Sequence, residues 1–349
     1  MRSQKPQQPS EPPPPKGATA MQVLERTDLT GKHVFITGAN CGIGFATAQA
    51  LAVHGATVTM ACRDVVAASE AKDAILDQNE HAHVYIEHLD LTELESVENC
   101  AASYKQSGRP LHCVILNAGC YRPQHRVTDA GFETTFQINH LAQFYLVQLL
   151  MPALKRSTPA RVIVIASAAH DTPGVSTLTP NDICWQLFSP THKLQLNKPL
   201  RAYALSKLAN VLYAKELNRR LSSENGIFAA SVHPGTVRTK ISRNSKFFDA
   251  LLRFAKPLTT TVEQAAATPC YLASVADFER WAGGQYFVDC RPKETSVAAR
   301  NTASGVKLWE LSEEMLEHYH ESLGRGLQDT PDGQAEFAMQ DDDDDVFGD

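Results

Sequence analysis

Seven short apolar, β-branched runs, separated by longer stretches of helical spacing, constrain this chain more than any other feature. They are "HVFIT" (33–37), "TVTMAC" (57–62), "VYIEHL" (84–89), "LHCVIL" (111–116), "RVIVIA" (161–166), "IFAASV" (227–232) and "GQYFVD" (284–289). Strands that are apolar on both faces belong inside a sheet covered on both sides, and parallel neighbours need helical crossovers between them. The expectation is one α/β domain of the Rossmann type, doubly wound, with a seven-stranded, mainly parallel sheet and helices on both faces. A helix from Phe45 to His54 should end against Gly55, and one from Glu133 to Met151 should stop at Pro152. Further helices are expected from about Arg201 to Leu221 and from Ser304 to Glu321. No internal repeat is visible.

With 349 residues, 43% of them hydrophobic, there is material for one large core with tails. Residues 1–19 are proline-rich and polar and read as an extended tail, with "PPPP" as an SH3- or WW-type ligand in the alternative. The domain then covers residues 20–327, and 328–349 form an acidic tail in which Asp341 to Asp345 repel one another. A net charge of −6 offers no basic field for nucleic acid. The 8 cysteines show no C-x-x-C pair, so reduced thiols and a cytoplasmic protein are expected. The N-terminus has no apolar signal core, and no apolar run of about 18 residues predicts a membrane span. His81, His83 and His88 lack a completing cysteine or carboxylate, so no metal is expected.

Directly after the first strand stands "TGANCGIG", with Gly38, Gly42 and Gly44 opening the first helix and Asn40, Cys41 and Ile43 between and beside them. Glycines let backbone amides approach a diphosphate, and the helix N-terminus adds partial positive charge. The spacing is G-x-x-x-G-x-G. At the end of the second strand, "ACRD" places Arg63 where an NAD enzyme offers a carboxylate to the ribose. A guanidinium fork suits a 2′-phosphate, which favours NADP(H), while Asp64 keeps NAD(H) as the lesser alternative.

With that loop in place, the remaining motifs resemble the short-chain dehydrogenase/reductase superfamily, in its order and over some 200 residues. They are "LDL" (Leu89 to Leu91), "NAG" (Asn117 to Gly119), "INH" (Ile138 to His140), Ser167 in "IASAAH", Tyr203 and Lys207 in "YALSK", and "HPGTVRT" (His233 to Thr239). Within it the chain is similar to the retinol-dehydrogenase-like branch, including reductases that carry WW domains. Its tryptophans, Trp185, Trp281 and Trp309, are not spaced as such a module requires, so proline-motif binding through WW domains is not expected. The hydrophobic anchor common in retinol dehydrogenases is also not seen. Cys41, Leu116 and Ala166 depart from the family pattern without touching a reacting atom.

The resemblance implies hydride transfer between a nicotinamide and a carbonyl or alcohol. Tyr203 would be the general acid or base, Ser167 would hold the substrate oxygen, Lys207 would bind the nicotinamide ribose, and Asn139 would anchor a water in a proton relay. Asp90 and Leu91 would meet the adenine, and Asn117, Ala118 and Gly119 the adenosine side. Pro234, Gly235, Val237 and Thr239 would lie against the nicotinamide half. Free tyrosine titrates near 10, and lowering it by about 3 units takes roughly 4 kcal/mol, which Lys207 and the oxidised nicotinamide ring are expected to supply. Taken singly, each of these residues also has a structural reading: a backbone-bonding asparagine, a strand-ending serine, an exposed helix pair.

Two segments are expected to cover a lipophilic substrate, retinoid- or steroid-like: Thr172 to Pro199, with Trp185 and Phe188, and Ile241 to Pro257, containing "FFDALLRF". The second is equally readable as a core-facing helix. A separate class of function is a signalling or scaffold protein that uses a cofactor-loaded fold to bind protein partners, a role the resemblance implies, with the nucleus or mitochondrion as further locations. An epimerase or dehydratase on a related fold is disfavoured by the glycine spacing.

Overall fold

The computed structural model describes residues 12–121, 127–182, 199–237 and 260–325. Each of the seven strand runs forms a strand: β1 (His33–Thr37), β2 (Thr57–Cys62), β3 (Val84–His88), β4 (Cys113–Leu116), β5 (Ala160–Ile165), β6 (Ile227–His233) and β7 (Tyr286–Val288). An eighth, β8 (Arg291–Pro292), pairs antiparallel with β7, and the order across the sheet is β3-β2-β1-β4-β5-β6-β7-β8. The other pairs are parallel, for example Thr37 against Ala61 and Ile36 against Ile115. β8 was not legible because its two-residue turn, Asp289 and Cys290, takes positive φ (52° and 57°) without the Asn-Gly or Asp-Gly that announces such turns. The Asp289 carboxylate accepts from the Gly17 amide, and Thr268 Oγ1 accepts from the Cys290 amide.

Alternate residues of the strands feed two cores. Phe35, Val114, Val162 and Val164 face the helices Leu94–Gln106, Ala142–Lys155, Pro199–Asn225 and Thr302–Ser322. Val34, Ile36, Ile115, Ile163 and Val232 face the helices Gly42–Val53, Val65–Leu76 and Ala267–Ser274. Most of these strand side chains are fully buried, each contributing about 1.5–3 kcal/mol relative to exposure. Burial on both faces is why the strands read as continuous apolar runs.

The first crossover helix ends as its sequence predicts. Gly55 at φ 94° donates to Ala52 O and Ala56 donates to Leu51 O, closing the last turn in a Schellman motif. The expected stop at Pro152 is corrected: the helix runs on to Lys155 with Pro152 inside it. The proline lies in the last turn, where its ring removes one bond only, and buried Met151, Ala153 and Leu154 hold that turn by packing. The proline-rich stretch placed outside the fold is also part of the structure from residue 12 on. Arg291 donates to Pro14 O, Gln264 donates to Gly17 O, and Thr19 caps the short helix Ala20–Leu24 through a capping box.

Candidate functional site

The order of the sheet reverses between β1 and β4, and the strand ends there open a crevice, the place where open parallel sheets bind ligands. The crevice is continuous, about 1500 Å³, larger than a typical small-ligand pocket. Gly38, Asn40, Cys41, Gly42, Ile43, Gly44, Arg63, Asp90, Leu91, Asn117, Ala118, Gly119, Ser167, Tyr203, Lys207, Pro234, Gly235 and Val237 line it together. Asn139 stands one layer behind the wall, and Thr239 lies outside the described residues, as do Trp185, Phe188 and the "FFDALLRF" segment.

At the β1 end the wall is backbone. Gly38 and Gly42 take φ of 65° and 59°, and a Cβ on Gly44 would stand 2.3 Å from Gly38 O and 2.4 Å from Asn117 Nδ2. Asn117 Nδ2 donates to Thr37 O and Gly38 O, pinning the loop from below. Cys41 occupies the N-cap position of the Gly42–Val53 helix without a side-chain cap bond, so the first helix amides face the crevice with no side-chain acceptor from that position. A side-chain-free cradle over open amides fits a diphosphate. Arg63 is largely exposed, with Nε 3.9 Å from Asp90 Oδ2. Asp64 lines the same region, but its carboxylate caps the next helix by accepting from the Ala67 amide at 3.0 Å.

At the β4 to β6 end the polar side chains Ser167, Tyr203, Lys207 and His233 stand in an otherwise largely apolar wall. Tyr203 and Lys207 lie one turn apart on the Pro199–Asn225 helix, with Lys207 Nζ 5.7 Å from the Tyr203 ring centroid. Lys207 is 3% exposed, and its ammonium donates to Ile165 O at 2.9 Å. Burial lowers its pKa to about 8. Burial likewise raises the Tyr203 phenol to about 12, against the opposing pull of its hydrogen bond with Ser167. The expected depression depends on Lys207 together with the oxidised nicotinamide; in the protein alone burial is the larger influence on the phenol, and the ammonium is bonded to the Ile165 carbonyl. Ser167 ends β5 and caps the following turn through the Ala169 amide. His233, at the end of β6, accepts from the Ala168 amide and is pushed down to about 4 by burial.

Behind this wall a π turn, Gln137–Leu141, interrupts the helix that the sequence reads as continuous. Its buried amides tie together the loops that frame the crevice. Gln137 Nε2 donates to Leu91 O and Thr92 O. Asn139 accepts from the Cys120 amide at 2.7 Å and donates to Cys120 O at 3.0 Å and to Ser206 Oγ at 2.9 Å. Gln143, just beyond, donates to Ala118 O and accepts from Thr37 Oγ1. Gln137, Gln143, Thr37 and Ser206 were not singled out from the sequence, although glutamines inside the apolar run "TTFQINHLAQFYLV" signal buried polar work. Among the described residues no three His, Cys, Asp or Glu side chains converge on a metal position, and no helix is long and apolar enough to cross a membrane.

Comparison with known proteins agrees with this geometry. The short chain dehydrogenase family model matches residues 32–178. The chain is 42% identical to the WW domain-containing oxidoreductase of Gallus gallus over 309 residues, covering 88% of this chain and 73% of that protein. It is 38% identical to retinol dehydrogenase 12 of Homo sapiens over 291 residues, covering 82% and 87%. Among solved structures, an uncharacterised protein from Mycobacterium paratuberculosis superposes with a TM-score of 0.64 at 30% identity, covering 86% of this chain and 97% of that one.

Proposed function

Because this chain belongs to the short-chain dehydrogenase/reductase family, we propose that it is an NADP(H)-dependent oxidoreductase that interconverts a carbonyl and an alcohol on a lipophilic substrate. The observation that carries this reading is the convergence of Tyr203, Ser167 and Lys207 on one end of a crevice whose other end is a side-chain-free phosphate cradle. Near the tyrosine the wall is largely apolar, with Tyr121, Ala169, Pro173, Val175 and Leu200. That lining, together with the similarity to a protein named for retinol, supports a lipophilic alcohol or aldehyde of retinoid or steroid type.

When bound, the nicotinamide supplies the hydride and, in its oxidised form, a positive charge beside Tyr203. The residues of the chain do the rest. Ser167 and the Tyr203 hydroxyl orient the substrate oxygen, and Tyr203, protonated at neutral pH, donates the proton as the alcohol forms. Lys207, close to the ring and mostly protonated at neutral pH, binds the nicotinamide ribose and stabilises the negative charge that develops on the phenol oxygen as the proton leaves. Arg63 holds the 2′-phosphate that separates NADP(H) from NAD(H).

Purified protein loaded with NADP(H) is assayed against a panel of lipophilic aldehydes, ketones and alcohols. Tyr203→Phe should lower kcat by about 10³-fold, within the range of a lost general acid, and leave cofactor binding largely intact. Equal inactivity of wild type and variant across the panel, with cofactor bound in both, would overturn the catalytic reading in favour of an interaction role for the cofactor-loaded fold.

A further inference from the structure

We infer that Ser206, the serine inside "YALSK", is a positioning residue that fixes Asn139 and, through it, the Cys120 backbone at the reacting end of the crevice. The inference rests on the catalytic reading of Tyr203 and Lys207. Ser206 is fully buried, and its hydroxyl donates to Tyr203 O at 2.8 Å. With its single proton spent there, the oxygen can only accept from Asn139 Nδ2, which approaches to 2.9 Å. That contact reinforces the orientation in which the Asn139 amide meets the Cys120 backbone. The second Nδ2 hydrogen then goes to Cys120 O and Oδ1 receives the Cys120 amide, so every hydrogen of the Asn139 amide has a partner.

The device matters because of where Cys120 lies. It follows Gly119, where an added Cβ would stand 3.3 Å from Asn139 Oδ1 and 3.4 Å from Lys207 Nζ. A displacement of the Cys120 backbone therefore moves the wall against the lysine. The helix itself has no need of a hydroxyl at this position, since alanine is the better helix former. The serine ties the Tyr203 turn of the helix to the π turn and hence to the loop after β4.

The test is Ser206→Ala, read first by amide hydrogen exchange in the cofactor-free protein. The Cys120 amide, held by Asn139, should exchange about tenfold faster, the effect of weakening one buried hydrogen bond. The Ala118 amide donates to Thr37 Oγ1 instead and should be unchanged. Ser206→Thr, which keeps the oxygen, restores slow exchange at Cys120. In turnover with NADP(H), Ser206→Ala should lower kcat about tenfold while KM for the cofactor stays within about twofold, a split that general loosening would not produce. Both amides accelerating together, neither accelerating, or an accelerated Cys120 amide with unchanged kcat would each overturn the inference. A wild type silent on every substrate would instead sink the catalytic reading, and the two amides would still decide whether Ser206 holds Asn139.

Discussion

The two ends of the crevice are made of different material. The β1 end is shaped by what is missing: Gly38, Gly42 and Gly44 keep side chains off the turn, so that backbone faces the crevice there. The β4 to β6 end is shaped by what is present: Lys207 in the wall and Asn139, His140, Gln143 and Ser206 behind it are polar, and each is 3% exposed or less. Where the wall is backbone, at Gly44 above all, an added atom has no room. An end built of buried polar side chains depends on every partner being kept and pays in sensitivity to pH. Damage at the first should appear as lost cofactor affinity, and damage at the second as lost turnover or acid stability.

Gly44→Ala attacks the first end most directly and should have the largest effect on cofactor binding. The new methyl would meet Gly38 O in the loop and Asn117 Nδ2, which pins it, at 2.3 and 2.4 Å, so the loop itself must shift. A loss of about 3 kcal/mol in cofactor binding, roughly 100-fold in Kd, is expected by fluorescence titration. Unfolding midpoints should fall much less than this. Near-native affinity would show that the cradle is not the cofactor site and erase the contrast between the ends.

His140→Phe sharpens the contrast from the other side. His140 is 1% exposed, and its Nε2 contacts Ser312 Oγ at 2.9 Å; since Ser312 donates to Leu308 O, the imidazole is the donor there. Phe136, Phe144 and Tyr213 surround the ring, and burial lowers its pKa from 6.5 to about 3. The folded state thus refuses a proton that the unfolded chain accepts below about pH 6.5, so this histidine contributes stability that is lost as pH falls from there toward 3. Between pH 7 and 5 the loss amounts to about 2 kcal/mol from this site. Denaturant titrations should show the phenylalanine variant losing about that much less over the same interval. Parallel pH profiles for the two proteins would remove His140 from the acid response.

The sequence was most informative where one local rule settles the outcome. The seven strand runs, the Gly55 cap and the glycine loop each follow from periodicity or backbone sterics within a few residues. The family motifs likewise pointed to Tyr203, Lys207, Ser167 and the loop residues, which the fold brings to one crevice. What stayed hidden depends on contacts between distant segments. The π turn at Gln137–Leu141 is held by partners at Leu91, Cys120 and Ser206, 19 to 67 residues away in sequence, and no helical spacing announces it. The upward shift of Tyr203 is of the same kind. The Tyr203 and Lys207 spacing is visible in "YALSK", but the carbonyl of Ile165 that claims the ammonium is not.

Arg63→Ala has the smallest expected effect and asks whether the backbone-built end carries any side-chain chemistry at all. The proposed assignment gives Arg63 the 2′-phosphate, and two observations favour it over Asp64. The arginine side chain is 64% exposed at the crevice, with a long 3.9 Å approach to Asp90 Oδ2, whereas the Asp64 carboxylate caps a helix by accepting from the Ala67 amide. Loss of an exposed charge-assisted contact should cost about 1.4 kcal/mol, a tenfold fall in the NADP(H)-to-NAD(H) affinity ratio, with NAD(H) binding itself little changed. Because the group is exposed, salt should weaken the wild-type preference and have less influence on the variant. If the ratio instead stays constant while Asp64→Ala alters NAD(H) binding, the carboxylate reads the ribose, and the one side-chain determinant at this end has been assigned to the wrong neighbour.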